Sequence, residues 1–457
     1  PGAEPGAVAP GAYAAHIFAL FDLPRAAFAG HSHNGTMDDA GARPITPEPP
    51  QPDSAVARRL AARGAKRVLA IDGGGVRGIV ATGLLAAVEQ RLRRRTGRPN
   101  ARLCDYFDLI GGVSTGAVIA AALAMGRSAA EIADFFRALA RDAPAGQSRR
   151  GRFDAQRMDA LLAQGFGDTA LGGDGLRTGL AIGAKRTDVG GVWWVANNPR
   201  APLWAARRNG PGDRDLLVRQ LLQASLGAAV IHEERVVQFT GPAGETGVGA
   251  AFVDAALAGA NNPSLHLLHL ATLPGHGLEW LSGHDQLLMV SVGAGDWRGG
   301  RAAGDPTAAL DAMIRETGDT AIATLQGLSH SPRPWRLEGA AGDARGAAAL
   351  SPAPALHFQR MDVRLDLESL AAIGLRCGEQ ELDAMRGSSP DDAVTLARLH
   401  EAGLRAGEAF FLGAEGEAKR DWTAAILPRR FDPHGFSKRF LGPPASKLDA
   451  LRRAWKS

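Results

Sequence analysis

The sequence predicts an α/β protein with a mostly parallel central sheet, helices on both faces and a helical C-terminal part. From residue 66 onward, short apolar segments typical of strands alternate with amphipathic segments typical of helices, which is the pattern of successive βαβ units. Two of the strands run into glycine-rich turns that open helices, at DGGGVRG (72–78) and GVSTG (112–116). These turns are where chemistry is expected, because backbone amides are exposed there.

The elements follow in order along the chain. A buried strand over residues 68–71 precedes a helix from about Ile79, and an apolar strand over 106–110 precedes a helix that begins near Thr115. Further strands are predicted in GLAIGAKRTD, GVWWVANNP, AAFVD and QLLMVSVGAG. Helices are predicted in AAEIADFFRALAR, DLLVRQLLQAS, DAMIRETGDTAIATLQGL and PDDAVTLARLHEAGLRAGEAF.

Composition divides the 457 residues into four predicted parts. Residues 1–65 are rich in Pro, Gly and Ala and form a flexible arm. Residues 66–300 form the core that carries both glycine-rich turns. Residues 301–417 form a mainly helical part packed on this core, and residues 418–457 a basic extension.

Hydrophobic residues make up 45% of the chain and charged residues 22%, which is ordinary for a globular protein. No apolar run reaches the ~18 residues of a membrane helix, and Cys104 and Cys377 are too few for a disulfide framework. We therefore expect a cytoplasmic protein. Peripheral membrane contact is left open by basic segments at 91–98, 149–152 and 429–440, while nucleic-acid binding is not expected.

Ser114 is the candidate nucleophile. The segment from Gly112 to Gly116 fits the G-x-S-x-G pattern of a nucleophile elbow, in which a sharp turn from strand to helix lifts the serine clear of the backbone. The flanking glycines leave room for the helix to cross close to the strand. Such a serine needs a base beside it and amide donors facing it.

The loop from Asp72 to Gly78 allows more than one interpretation. Its G-x-G-x-x-G spacing is that of a dinucleotide loop, and a basic region near Arg98 would direct it to NADP. Alternatively, its amides form an oxyanion hole, because the end of the neighbouring strand would lie beside Ser114. A simple tight turn is the third interpretation.

The base is open between histidine, aspartate and lysine. Asp254 ends an apolar strand and enters a small-residue loop, where partial desolvation would raise the proton affinity of its carboxylate. A turn or cap role is the alternative for this residue. None of the histidines after Ser114 has a distinguishing context; they are His232, His266, His269, His276, His284, His330, His357, His400 and His434.

Three motifs in order, DGGGVRG, GVSTG and FVDAALAGANNPS, resemble those of the patatin-like phospholipases, lipid acyl hydrolases, particularly the bacterial members. Weaker matches are VWWVANNPRAP, QASLGAAV, LLMVSVGAG and HFQRMDVRL, so the resemblance covers residues 66 to about 415. It implies a three-layer patatin-type fold. It also implies a Ser-Asp dyad without histidine, with Ser114 as nucleophile and Asp254 as base.

The resemblance further implies a phospholipid or other acyl-lipid substrate, and neither a cofactor nor a metal is expected. It assigns the oxyanion hole to Gly74, Gly75, Val76 and Arg77, with Asp72, Gly73, Gly78, Gly112 and Gly116 as supporting motif residues.

Two positions depart from the family pattern. Ala255 follows the aspartate where the family usually has glycine, and Val230 replaces a proline in a segment that lines the lipid entrance in relatives. The methyl group of Ala255 is expected to shift Asp254 or narrow the site. The altered context of Asp254 leaves a non-catalytic patatin-like protein that binds lipid as one alternative to a serine esterase, and the GGGVRG loop leaves an NADP-binding oxidoreductase as the other.

Overall fold

The computed structural model describes residues 54–141, 155–205, 212–227, 235–239, 249–298, 306–337, 350–387, 392–412, 421–433 and 436. All of them belong to the compact unit Gln51–Ser457. Most of the predicted arm, the basic segment 149–152, Val230 and most of the basic extension lie outside the described residues.

The described residues form one eight-stranded sheet, and four of its strand pairs are parallel. The strand order is β5-β6-β3-β2-β1-β7-β8, with β4 also paired to β3, and β4, β5 and β6 run antiparallel to their partners. The predicted mostly parallel sheet is confirmed. The strands are β1 Lys66–Ile71, β2 Leu109–Val113, β3 Gly179–Arg186, β4 Val192–Ala196, β5 Arg235–Val237, β6 Ala250–Val253, β7 Leu287–Val292 and β8 His357–Met361.

Helices connect and cover these strands. Over the same described residues they are α1 Ala55–Ala61, α2 Gly78–Thr96, α3 Leu103–Tyr106, α4 Thr115–Ala124, α5 Ala129–Arg141, α6 Ala155–Phe166, α7 Val218–Leu226, α8 Ser264–Thr272, α9 Pro306–Leu328, α10 Leu367–Ala372, α11 Glu379–Gly387, α12 Ala393–Leu412 and α13 Thr423–Ile426.

Both faces of the sheet are buried, as β1 shows. Leu69 and Ile71 belong to a hydrophobic cluster with α2, α4 and α7, whereas Val68 and Ala70 belong to a second cluster with α1, α8 and α9. Successive side chains of a strand point to opposite faces, so a strand covered on both sides is apolar at every position. This explains why β1 shows a continuous apolar run instead of an alternating pattern.

The strand predicted over residues 106–110 is shifted in the structure. Tyr106 ends the short helix α3, and β2 runs over Leu109–Val113. The Asp105 carboxylate accepts from the Arg102 backbone amide at 2.9 Å and caps this helical turn. The strand β2 therefore ends at Val113, and Ser114 is the next residue in the chain.

Parts of the chain predicted as separate contribute to the same unit. Region 301–417 is mainly helical but also supplies β8, which pairs in parallel with β7. Within the predicted arm, helix α1 begins after the cap residue Ser54 and buries Val56 and Leu60. At the start of the basic extension, Phe431 is buried as well.

The parallel pairing of β1 and β2, with Ile71 opposite Gly112, brings the two glycine-rich turns to one edge of the sheet. This is the edge at which α/β proteins usually bind ligands. A membrane-crossing helix, which would need a longer apolar stretch, is not found among the described residues.

Candidate active site

The elbow holds Ser114 in an unusual backbone conformation. Its φ is +53° and its ψ is −132°, a region that non-glycine residues rarely occupy and that costs about 1–3 kcal/mol. A Cβ on Gly112 would lie 2.3 Å from the Gly116 carbonyl oxygen, and a Cβ on Gly116 would lie 2.4 Å from that of Asp72. The predicted close crossing of helix and strand is therefore confirmed, and it requires both glycines.

The side chain of Ser114 meets that of Asp254. The Ser114 hydroxyl donates to Asp254 Oδ2 at 2.6 Å, and the Ala256 amide donates to Asp254 Oδ1 at 2.9 Å. Loss of surrounding water raises the pKa of Asp254 to about 6, although the two hydrogen bonds oppose the shift. A carboxylate with this pKa is ionised at neutral pH and takes up a proton more readily than an ordinary aspartate.

Ser225, at the end of α7, contacts the main chain of Ser114. The Ser114 backbone amide donates to Ser225 Oγ at 2.8 Å, and the Ser225 hydroxyl donates to the Gly183 carbonyl at 2.6 Å. Ser225 has no solvent-exposed surface. Ser225 was not among the predicted site residues, although it lies in the QASLGAAV segment that resembles the family.

The glycine loop lies against the elbow. A Cβ on Gly73 would lie 3.3 Å from the Cβ of Ser114, so the loop passes directly beside the nucleophile. The Gly74 amide is 3.3 Å from Thr115 Oγ1. Within the described part of the chain, no hydrogen bond is found from the amides of Gly75 and Val76, which start the 3₁₀ turn before α2.

The Arg77 side chain is bound to the C-terminal part of the chain. Its Nη1 donates to the Arg386 carbonyl at 2.9 Å, and its guanidinium lines a pocket of about 110 Å³ together with Asp72, Asp296 and Trp297. Neither Ser114 nor Asp254 lines that pocket. The Arg77 side chain therefore faces this pocket and the Arg386 carbonyl. Gly73 and Gly78 contribute to the loop by close packing.

Asp72 fixes the start of the glycine loop from within the core. Its Oδ2 accepts from Arg360 at 2.7 Å, and its Oδ1 accepts from Asn262 at 3.1 Å. Arg360 comes from β8 and also donates to Asp362 at 2.7 Å and to Ser291 at 2.8 Å. Arg360 was not among the predicted site residues, since nothing in HFQRM shows that this arginine is buried.

The histidines have other partners. Among the described residues, no histidine is hydrogen-bonded to Ser114 or Asp254. His266 stacks on Trp194, and His400 contacts Thr82. His232 and His434 lie outside the described residues. The described residues also contain no group of three metal-ligating side chains suited to an ion.

Ala255 does not displace the aspartate. Its side chain is fully buried against Val113 and Ala260, while Asp254 stays within hydrogen-bonding distance of Ser114. The expected shift of Asp254 is therefore not observed.

The mostly parallel sheet, the strained Ser114 and the carboxylate beside it are features of α/β proteins with a nucleophile elbow. Residues 69–268 match the family model of the patatin-like phospholipases. This stretch of the chain is thus similar to the patatin-like phospholipase domain, as the motifs indicated. The comparisons do not favour the NADP-binding alternative.

Two curated relatives show the extent of the similarity. The chain is 44% identical over 71 residues to the cGAMP-activated phospholipase of Vibrio cholerae, covering 16% of this chain and 20% of the relative. It is 56% identical over 57 residues to Patatin-like protein 1 of Oryza sativa subsp. indica, covering 12% and 14%. The chain therefore spans a fifth or less of the length of these two relatives.

Among solved structures, human GIVD cytosolic phospholipase A2 is 14% identical, with 78% of this chain and 62% of that chain covered and a TM-score of 0.39.

Proposed function

We propose that this protein is a serine lipid acyl hydrolase, of phospholipase A or lysophospholipase type, that uses Ser114 and Asp254 as a catalytic dyad. The observation that carries the proposal is the 2.6 Å hydrogen bond from the Ser114 hydroxyl to the Asp254 carboxylate. The family domain supports hydrolysis of acyl lipids, and the strained elbow supports Ser114 as the attacking group.

In the first half-reaction, Ser114 Oγ attacks the ester carbonyl carbon while Asp254 Oδ2 accepts the hydroxyl proton. The tetrahedral intermediate collapses by breaking the bond to the alcohol oxygen, which takes the proton from Asp254 and leaves. In the second, water attacks the acyl-serine while Asp254 accepts its proton. The Ser114 oxygen recovers that proton when the fatty acid departs, so the enzyme returns to its starting state.

The amides of Gly75 and Val76 are the donors proposed for the oxyanion, with Gly74 as a third. The first two have no acceptor within the described residues, and the Gly74 amide has only a long contact to Thr115. Each such donor typically contributes about 10²–10³-fold in rate. Arg77 is proposed to act by holding the loop, because its side chain is bound to the Arg386 carbonyl.

Peripheral membrane contact is proposed for the basic end of α2. Two of its arginines form salt bridges within the protein, Arg93 with Glu89 and Arg95 with Asp432. Arg94 and Arg98 remain exposed. Each contributes about 1 kcal/mol near an anionic membrane surface, so this segment provides weak attraction and leaves specificity to the active site.

Reaction of the purified protein with a fluorophosphonate, followed by mass spectrometry of the adduct, tests the proposal. We expect a single adduct on Ser114, none on any residue in Ser114→Ala, and labelling slowed by about 10³-fold or more in Asp254→Asn, because the base is lost. Release of fatty acid from phosphatidylcholine or phosphatidylglycerol vesicles then tests the substrate class.

Three results would contradict the proposal. Equal labelling of Asp254→Asn and the wild type would reject Asp254 as base. An adduct on another residue would reject Ser114. Absence of both labelling and lipid hydrolysis in folded protein would favour the non-catalytic alternative.

A further inference from the structure

The C-terminal end of helix α7 touches the main chain of both proposed dyad residues. Ser225 accepts the Ser114 amide at 2.8 Å and donates to the Gly183 carbonyl of β3 at 2.6 Å. Two residues later, Gly227 lies against the backbone of Asp254, because a Cβ placed on it would be 2.3 Å from the Asp254 nitrogen. One three-residue segment therefore contacts nucleophile and base, which are 140 positions apart in the chain.

The contact with Ser114 satisfies a need created by the elbow. Ser114 follows the last residue of β2 and has a positive φ, and the Ser225 hydroxyl lies between its amide and the Gly183 carbonyl of β3. A buried amide without an acceptor costs about 1–3 kcal/mol, which would add to the strain of the elbow. The Ser225 hydroxyl removes that cost in the conformation in which the Ser114 side chain reaches Asp254.

The contact with Asp254 depends on glycine. Gly227 has a φ of +44°, and its missing side chain lets the end of α7 lie directly on the junction of Val253 and Asp254. Any larger residue would push β6 and its aspartate away from the helix, and thus away from Ser114.

We infer that the end of α7 is a clamp that sets the distance between nucleophile and base, and that Ser225 is a positioning residue for the reaction. The inference rests on the proposed function. Ser225 hydrogen-bonds through its side chain to the main chain of Ser114 and to β3, so it acts on geometry and takes no proton from the substrate.

Three substitutions at Ser225 and one control form the test. Ser225→Ala removes the hydroxyl, Ser225→Cys keeps the volume with a much weaker acceptor, and Ser225→Thr keeps the hydroxyl. Ser329→Ala is the control, because Ser329 is equally buried and its hydroxyl has no partner among the described residues. Fluorophosphonate labelling rate, kcat and KM with a short-chain ester, and thermal unfolding are measured for each.

We expect Ser225→Ala and Ser225→Cys to lower kcat and the labelling rate by about 10- to 100-fold, which is typical of a misplacement near 1 Å. KM should stay unchanged, since Ser225 contacts only the main chain of Ser114 and β3, whereas the acid limb of the pH profile should move to higher pH, because a longer Ser114–Asp254 hydrogen bond lowers the pKa of Asp254 less. Ser225→Thr should recover much of the rate, and Ser329→Ala should lose none. A loss of stability alone would not produce this pattern in folded protein.

Wild-type labelling rates in folded Ser225→Ala and Ser225→Cys would overturn the clamp and leave the proposed function intact. Equal losses in Ser225→Thr and Ser225→Cys would also overturn it, because the hydroxyl would then not matter. If Ser225→Ala does not fold, the isosteric Ser225→Cys decides. Failure of the wild type to label would instead reject the proposed function, and the clamp with it.

Discussion

Two aspartates at the same edge of the sheet, Asp254 and Asp72, have opposite kinds of partner. Each directly follows a strand, and burial raises the pKa of each above its ordinary value. Asp254 faces the neutral hydroxyl of Ser114 and the amide of Ala256. Asp72 faces the guanidinium of Arg360, whose charge opposes the effect of burial on its pKa.

The charge of its hydrogen-bonding partner decides whether a desolvated carboxylate is held ionised or binds a proton readily. A cation beside Asp72 compensates its charge and makes it a fixed part of the loop support. Asp254 has only neutral partners among the described residues, so its charge is costly to bury and it binds a proton readily. Such uncompensated groups are typical of active sites.

Removal of the Arg360 guanidinium should have the largest effect on stability. Arg360→Gln leaves Asp72 and Asp362 buried without their partner, so we expect the free energy of unfolding to fall by about 3–5 kcal/mol. Urea unfolding measures this. Arg405→Gln is the control, because the Arg405 side chain is 41% exposed and pairs with Glu401 at the surface. If Arg360→Gln lost no more free energy of unfolding than Arg405→Gln, the charge of Asp72 would not depend on Arg360 for compensation.

Neutralisation of the two aspartates should change stability in opposite directions. The pKa of Asp254 is raised from 3.8 to about 6 in the folded state. Deprotonation therefore destabilises the fold progressively from about pH 4 to pH 6, and the full cost, on the order of 1–3 kcal/mol, remains above pH 6. We expect Asp254→Asn to be more stable than the wild type at pH 7–8 and equal to it near pH 4. Asp72→Asn should be destabilised at pH 7, because it leaves the buried Arg360 guanidinium with one carboxylate partner fewer.

Urea titrations at both pH values separate these cases. If Asp254→Asn were less stable than the wild type at pH 8, the uncompensated charge of Asp254 would be refuted.

The pH dependence of the reaction should report the same group. Because Asp254 accepts a proton only when ionised, kcat/KM for a soluble short-chain ester should be constant above its pKa of about 6 and fall about tenfold per pH unit below it. The rate is measured between pH 4.5 and 8 in constant ionic strength. A midpoint near 4 would mean that burial does not perturb the base.

The smallest effect is expected at Ala255. Its methyl group is buried against Val113 and Ala260 while the Ser114–Asp254 hydrogen bond is intact. Ala255→Gly should therefore change kcat by less than about threefold and lower stability by about 0.5–1 kcal/mol through backbone entropy. A large gain in kcat would show that this methyl group restrains the dyad.

The sequence predicted the elements that have strong local signals. The apolar run of β1, the glycines around Ser114 and the small-residue loop after Asp254 each follow from steric and packing rules that act over a few residues. The β2 boundary was displaced because the apolar run 106–110 includes the end of α3, which is capped by Asp105. The strand β8 was not predicted as a strand, since its pairing with β7 is a long-range contact.

By itself, then, the sequence predicted the type of fold and pointed to Ser114, because turn geometry and strand periodicity are local properties of the chain, whereas Asp254 as the base was implied only by the resemblance of the motifs. Only the tertiary structure decided which groups meet. The order of strands places the ends of β1 and β2 together, aligns Asp254 with Ser114, and brings Ser225 and Arg360 to their partners. Such contacts join residues that are 111 and 288 positions apart, and they exist only when the whole core has packed.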